Sequence, residues 1–356
     1  MPTIATTSLR SVLVGIYVAA GLSEEEADAV GSHQIEADLY GHSSHGVVMT
    51  DWYVDTISRG DVVPGAPLEV IRESASTAVL DAHFGPGHVA TARAIPIVVS
   101  KAAETGIGAV TIRRQGHVGR LGYYTARIAA EGLIGILTAD SGNGPKLVAP
   151  LGGREARLGS NPISIAVPST DHGPVVLDMA TAAASGGKVL LARRDGQSLP
   201  AGWLMTREGK PSTDPNDFGE GGGALLPLGA DQAHKGYGLS FMIEVLSGIL
   251  TGIGFASSAD GRHNDGVFMT AIDIGRFRDL GDFSRDVSAF IEHLKATPLA
   301  TGHTEIRYPG ELGQRKARHS QVHGLSLDRA SWDSLDRLAE KLGVAGPSRH
   351  ADSTSV

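Results

Sequence analysis

The segment 41–46, Gly-His-Ser-Ser-His-Gly, carries two imidazoles where a predicted helix gives way to a turn. An imidazole at such a boundary can donate or accept a proton near neutral pH, and Ser44 stands beside His45. The sequence places no carboxylate or thiolate to complete a metal site with them, so we expect no metal. The segment is equally typical of a polar helix end, where histidines satisfy free carbonyls.

A second segment, 115–122, reads Gln-Gly-His-Val-Gly-Arg-Leu-Gly and joins a predicted strand to a predicted helix. Glycines on both sides of the imidazole would let a ligand approach His117. A nearby helix N-terminus is expected to lower the pKa of His117 and to present backbone N–H groups to an anion. The alternative is a glycine-rich turn with a surface histidine.

Residues 85–90, Gly-Pro-Gly-His-Val-Ala, match the dinucleotide-binding pattern G-x-G-x-x-A, and Glu104 lies near the expected acidic position. Such matches arise by chance in a chain with 47 glycines. Pro86 also stiffens the turn that would have to hold a pyrophosphate. This match is therefore weak evidence for a nucleotide site.

Two further segments could contact a phosphorylated ligand. The predicted strand that ends at Asp178 is followed by small residues and Lys188, an arrangement that suits ribose and phosphate but also an ordinary turn. Lys235 opens an apolar helix, where its charge opposes the helix dipole. That position indicates either a ligand anion or an exposed lysine screened by solvent.

The elements that must position these residues follow an α/β alternation. Residues 7–40 predict two helices, with Gly21 ending the first and a capping box from Ser23 to Glu26 starting the second. Strands are predicted at 77–82, 107–112, 133–138, 163–167, 175–179 and 267–273, and helices at 89–105, 121–130, 234–251, 283–296 and 327–342. The segment 214–223 predicts a loop, and the polar tail 346–356 predicts disorder.

Composition excludes several function classes. A chain of 356 residues is long enough for two or three lobes, and its net charge of −8 disfavours a nucleic-acid partner. The absence of cysteine excludes disulfides, zinc–thiolate sites and a cysteine nucleophile. No run reaches the roughly 18 apolar residues of a membrane span, and the first 22 residues lack a signal-peptide pattern. We therefore expect a cytoplasmic protein that does not bind membranes.

Taken in order, these motifs resemble those of the malate/L-lactate dehydrogenase family, which includes ureidoglycolate and sulfolactate dehydrogenases, diketogulonate reductase and cyclic-imine reductases. The resemblance covers roughly residues 5–325. It is carried by Ser44–Gly46 (SHG), Gly85–Ala90 (GPGHVA), Gly116–Gly119 (GHVG), Gly159–Pro162 (GSNP), Leu177–Thr181 (LDMAT), Lys235–Leu239 (KGYGL) and Tyr308–Glu311 (YPGE).

The resemblance implies an α/β fold that is not a Rossmann fold. Helical N-terminal and C-terminal parts, 1–75 and 280–345, would pack together beside a central cofactor-binding α/β part, 76–279. It also implies a homodimer that uses NAD or NADP to transfer a hydride to or from a small 2-hydroxy or 2-oxo acid. A cyclic-imine reductase and a non-catalytic nucleotide-binding relative are the alternatives.

The resemblance further implies roles for individual residues. His117 and His45, with Ser44, are expected at the proton-transfer site. The expected cofactor contacts are Ser141, Asp178, Met179, Ala180, Lys235, Gly310 and Glu311.

One departure concerns the substrate. Relatives carry arginine four residues after the SHG histidine, where it clamps the substrate carboxylate, but this chain has Met49. A thioether cannot pair with a carboxylate. Arg120, three residues after His117, is the candidate replacement; the alternative is a solvent-facing arginine without a role.

Overall fold

The computed structural model of the protein describes residues 2–142, 144, 146–255 and 262–348. Its strands are β1 Thr3–Ile4, β2 Glu69–Glu73, β3 Thr77–Gly85, β4 Ile107–Gln115, β5 Leu133–Ser141, β6 Ile163–Val167, β7 Val175–Met179, β8 Leu204–Met205, β9 Pro211–Ser212, β10 Ala224–Leu225, β11 Asp265–Asp273 and β12 Leu325–Ser326. Its helices are α1 Thr6–Ala19, α2 Glu24–Leu39, α3 Thr50–Ser58, α4 Gly87–Thr105, α5 Gly122–Ala130, α6 Gly186–Arg194, α7 Ala233–Ile243, α8 Leu280–Lys295, α9 Glu311–His323 and α10 Arg329–Leu342.

A seven-stranded mixed sheet in the order β2-β3-β4-β11-β5-β6-β7 forms the centre of the molecule. Only β3 and β4 pair in parallel, and the other neighbouring strands are antiparallel. A Rossmann sheet is mostly parallel, so the expected non-Rossmann α/β fold is confirmed. Because β11 lies between β4 and β5, Asp265 at the start of β11 is opposite both Gln115 and Ser141.

The N-terminal and C-terminal helices share one apolar core, as expected. Leu13 and Ile16 of α1 are fully buried together with Leu335 of α10. The two-stranded pair β1–β12 joins the chain ends, with Ile4 opposite Leu325. The α3 helix, which the sequence analysis did not predict, adds Tyr53 and Val54 to this core.

A separate small apolar core lies beside the central sheet. The short strands β8, β9 and β10 form a separate sheet, and Leu204 and Leu225 from it pack against Val189 of α6 and Phe218. The predicted loop 214–223 contains only short 3-10 turns. This small sheet was not predicted, since two-residue strands leave no periodic pattern in a sequence.

The capping predictions at the first two helices are confirmed. Ser23 and Glu26 form a reciprocal capping box, and Gly21 takes a φ of 112°, which L-residues rarely adopt. The predicted helix 234–251 is instead α7 followed by a π-helical turn, Glu244–Ile249. The predicted start of the last helix at Leu327 is two residues early, because the Asp328 side chain caps the helix by accepting the Ser331 N–H.

The prediction of a disordered tail is wrong for its first residues. Ser348 accepts a 3.0 Å hydrogen bond from the Trp332 indole N–H, and its own backbone N–H donates to Asp336 at 3.1 Å. These bonds hold 346–348 against α10. The remainder of the predicted tail, 349–356, lies outside the described residues.

Candidate active site

His117 lies in a ring of aromatic side chains between the helical core and the central sheet. Its Nδ1 is 2.7 Å from the Tyr53 hydroxyl of α3, which is buried at 6% exposure. Its ring stacks on His45 at 5.8 Å and meets the edge of Trp52 at 5.7 Å. The structure therefore brings together His45 and His117, the two predicted proton-transfer residues, which are 72 positions apart in the chain.

Glycines shape the loop that carries His117. Gly119 has a φ of 69°, and a Cβ there would collide with the Nε2 atoms of His33 and His88. His33 Nε2 accepts the backbone N–H of Arg120 at 2.7 Å. Since this acceptor nitrogen must be unprotonated, the buried imidazole of His33 fixes the loop without carrying charge.

The His45 turn is held by a buried carboxylate. Asp38 of α2 accepts the Val47 N–H at 2.8 Å, and a Cβ on Gly46 would collide with the Asp38 carboxylate. Burial raises the pKa of Asp38 to about 7. Ser44 Oγ is 3.1 Å from His45 Nδ1, so Ser44 can fix the tautomer of the His45 ring.

Burial holds the imidazoles of this ring neutral at physiological pH. It lowers the pKa of His117 to about 4 and that of His88 to about 3, and it also lowers the pKa of His45. Burial, rather than the helix N-terminus suggested by the sequence, is the main cause at His117, since α5 begins only at Gly122. A neutral imidazole is a proton acceptor, so His117 is ready to act as a base.

His263 behaves differently from these histidines. Although burial opposes its charge, the neighbouring Asp265 carboxylate, 2.9 Å from Nε2, raises the pKa of His263. Asp265 also accepts the Val118 N–H at 3.0 Å, which ties it to the His117 loop. The His263 ring lies 6.1 Å from His117 and 5.3 Å from Trp52.

Arg120 is buried at 6% exposure and lies between two acids. Its guanidinium is 3.2 Å from Asp178 at the end of β7 and 3.5 Å from Glu36, and it stacks 4.6 Å over the Tyr40 ring. Asp178 also accepts the Gly122 N–H at 2.9 Å. The arginine is therefore not solvent-facing, and binding a substrate carboxylate would require it to leave these partners.

Cofactor contacts are predicted at the end of β7 and at the start of α7, and the segment around Leu228 connects these two places. Thr181 accepts the Leu228 N–H at 2.9 Å, and a Cβ on Gly236 would collide with Leu228. Lys235 is exposed in the first turn of α7, and Met179 and Ala180 are partly buried at the strand end. Ser141 is the last residue of β5.

Gly310 lies along the edge of β7, and Glu311 follows it at the start of α9. Gly310 has a φ of 90° and lies close to the Val176 backbone. Glu311 is buried, and its carboxylate accepts hydrogen bonds from Lys295 at 2.6 Å and from Arg315. These partners lower the pKa of Glu311 despite its burial. Their roles at the cofactor remain predictions.

Several residues of this site were missed by the sequence analysis. Tyr53 and Trp52 come from the unpredicted α3, and His33 and His88 lie inside helices where they read as ordinary helical residues. Asp265 is the first residue of β11, and His263 lies two residues before it. The one available signal was the acid two residues after a histidine at a strand start.

The chain is similar to known proteins over nearly its whole length. The sequence profile of the family described as malate/L-lactate dehydrogenase matches residues 4–336. The chain is 38% identical to malate dehydrogenase of Pyrococcus horikoshii over 346 residues, which is 95% of each protein. It is 34% identical to L-sulfolactate dehydrogenase of Methanothermobacter thermautotrophicus over 339 residues, 94% of this chain and 95% of that protein. The crystal structure of malate dehydrogenase from Entamoeba histolytica superposes with a TM-score of 0.92 at 30% identity, covering 97% of this chain and 99% of that one.

The chain belongs to the malate/L-lactate dehydrogenase family. The resemblance drawn from the motifs is thereby confirmed, and so is the expectation of a fold shared with that family.

A close packing contact gives a second reason to discount the dinucleotide-binding pattern at 85–90. A Cβ on Gly87 would collide with the backbone carbonyls of Gly116 and His117. The second glycine of the pattern is therefore needed for close packing within the protein, not for a pyrophosphate. His88 of the same pattern is buried against Tyr53.

The described parts of the chain contain neither a metal-ligand cluster nor a membrane-spanning helix. Within residues 2–142, 146–255 and 262–348, no group of three or more His, Asp or Glu side chains is arranged to hold a metal ion. No helix in these same ranges combines the length and apolarity required to cross a bilayer.

Proposed function

We propose that the protein is an NAD- or NADP-dependent oxidoreductase that interconverts a small 2-hydroxy acid and the corresponding 2-oxo acid. The observation that carries this proposal is the neutral His117 imidazole, held by the Tyr53 hydroxyl at 2.7 Å and faced by His45. The relatives named above, a malate dehydrogenase and an L-sulfolactate dehydrogenase, support the substrate class.

The arrangement can remove a proton from a hydroxyl group. When Nδ1–H of His117 donates to the Tyr53 oxygen, the Nε2 lone pair is left to accept the substrate proton. Burial raises the pKa of Tyr53 well above its ordinary range, so Tyr53 stays neutral and can accept this bond. As the carbon–oxygen double bond forms, the C2 hydrogen leaves with its electron pair, and a bound nicotinamide ring supplies the acceptor for that hydride. Ser44 and His45 would line the same site.

The residues at the β7 end fit a dinucleotide. Asp178 offers a carboxylate at 12% side-chain exposure for a ribose hydroxyl. Lys235 is an exposed cation in the first helical turn, and no polar contact of its side chain is found among the described residues. A phosphate there would satisfy both the lysine and the free N–H groups of the helix. We accordingly propose Asp178, Met179, Ala180 and Lys235 as cofactor contacts, with Ser141, Gly310 and Glu311 as further candidates.

We also propose a homodimer located in the cytoplasm. The dimer is supported by exposed apolar side chains on α7 and the following π turn, where Phe241, Met242 and Ile249 are 51%, 53% and 53% exposed. A patch of this kind on one helical segment is typical of a protein–protein contact.

A cofactor titration followed by a substrate screen tests the function. The protein is mixed with NADH and separately with NADPH, and nicotinamide fluorescence is recorded. L-malate, L-lactate and L-sulfolactate are then offered with the oxidised cofactor, and absorbance at 340 nm is followed. We expect binding and turnover with at least one acid. No binding of either cofactor would refute the proposal, and turnover on cyclic imines alone would replace it with the imine-reductase alternative.

A further inference from the structure

Arg120, Lys146 and His263 are basic side chains that are each paired with an acid. Arg120 contacts Asp178 and Glu36, and its side chain is 6% exposed. Lys146 contacts Asp140 at 3.5 Å and Glu244 at 3.3 Å, and its side chain is 4% exposed. Recruiting either of these two groups to bind a substrate would mean breaking buried charge pairs, which is costly.

His263 is the third of these side chains and the most accessible, at 18% exposure. Its Nε2 faces Asp265, and no hydrogen bond from its Nδ1 is found among the described residues. The Asp265 carboxylate is 2% exposed and also holds the Val118 N–H. The acid thus holds the imidazole through one nitrogen and favours its protonated form, in which the second nitrogen carries an N–H to donate.

The His263 ring also lies beside the proposed base. It lies 6.1 Å from the His117 ring at an interplanar angle of 61°, and Trp52 meets both rings edge-on. In a 2-hydroxy acid the carboxylate is attached to the carbon that bears the reacting hydroxyl. A group that binds this carboxylate must therefore lie close enough to the base for one small molecule to contact both, as His263 does.

We infer that His263, oriented by Asp265, binds the carboxylate of the 2-hydroxy acid while His117 receives the hydroxyl proton. His263 is then the residue that makes the site select acids over neutral alcohols. Met49 packs against the helical core, and its thioether carries no charge. This inference rests on the proposed function, because it assigns a substrate contact within the same site.

The experiment compares an acid with its amide. L-lactamide replaces the carboxylate that His263 would bind with a neutral amide and is otherwise the same as L-lactate. The wild-type protein, His263→Gln and His263→Lys are assayed with both compounds at saturating cofactor. Glutamine removes the charge, whereas lysine keeps it. His293→Gln is the matched control, since His293 is exposed on α8, a helix that contributes no residue to the site.

We expect the wild type to prefer lactate. In His263→Gln, KM for lactate should rise about tenfold or more, because a charge-assisted hydrogen bond is lost. KM for lactamide, kcat and the Kd for NADH should change less than about twofold, and the control variant should match the wild type. His263→Lys should recover most of the preference for lactate.

Two outcomes would overturn the inference, and they differ from failure of the proposed function. If His263→Gln leaves the ratio of lactate to lactamide kcat/KM unchanged, His263 does not bind the carboxylate. If KM for both compounds rises equally and lysine restores nothing, His263 has only a structural role. If the wild type turns over no 2-hydroxy acid with either cofactor, the proposed function itself fails, whatever the variants do.

Discussion

The hydrogen bond that His117 donates to the Tyr53 hydroxyl offers a direct test of how the proposed base is held. Tyr53→Phe removes one oxygen atom, 2.7 Å from His117 Nδ1, and keeps the ring that contacts Trp52 at 5.3 Å and His88 at 5.0 Å. The change therefore deletes a hydrogen bond and leaves the aromatic packing in place.

The size of the effect follows from the change of charge on His117 during the reaction. A hydrogen bond from a neutral group is worth about 0.5–1.5 kcal/mol, and one from a charged group about 1.5–3 kcal/mol. His117 is neutral before it takes the proton and charged afterwards. The difference of about 1–1.5 kcal/mol applies to the transition state, so kcat should fall about five- to twelvefold.

The assay is steady-state oxidation of the best 2-hydroxy acid, with fluorescence titration of NADH to show that cofactor binding is intact. Tyr17→Phe is the matched control, since the Tyr17 hydroxyl also makes a 2.7 Å bond to a buried partner, Gln34, inside the helical core. Both variants should lose some thermal stability, and only Tyr53→Phe should lose kcat. Equal losses of stability with unchanged kcat in both would refute the role given to Tyr53.

Three further predictions use other parts of the site. Lys235→Ala should raise the Kd for NADH about tenfold or more through loss of a charge-assisted contact; an unchanged Kd in the fluorescence titration would remove Lys235 from the cofactor site. Because burial lowers the pKa of His117 to about 4, kcat for oxidation should stay level on the acidic side down to about pH 5 and fall only as pH drops further. A loss of kcat centred near pH 6.5 would show that a different group takes the proton. If Arg120 binds the substrate carboxylate, Arg120→Ala should raise KM for lactate far more than for lactamide, and Met49→Arg should improve activity on simple 2-oxo acids. If Arg120 only pairs with Asp178 and Glu36, the Arg120→Ala protein should lose stability and its KM values for lactate and lactamide should change together.

The sequence predicted elements whose signals are local. The capping box at Ser23, the positive φ at Gly21 and the apolar strands β6 and β7 all follow from a few adjacent residues. The α9 helix, Glu311–His323, was missed because its buried residues include Glu311 and Gln314, which read as surface positions. Their burial depends on partners such as Lys295 and the Pro174 carbonyl, which are far away in the chain.

The candidate site was predictable only in part, for the same reason. His45 and His117 stand in motifs that sequence comparison can recognise. His263 and Tyr53 gain their roles from contacts across 146 and 64 positions, respectively. The strand order that inserts β11 between β4 and β5 creates the first of these contacts, and no local pattern specifies that order.

Replacement of His117 tests the central claim most directly. His117→Ala should still bind NADH with a Kd close to that of the wild type, because no predicted cofactor contact is changed. Its kcat for oxidation of the best 2-hydroxy acid should fall on the order of 10²–10⁴-fold, the usual contribution of a positioned base. A folded His117→Ala protein that binds NADH and turns over within about threefold of the wild type would contradict the account.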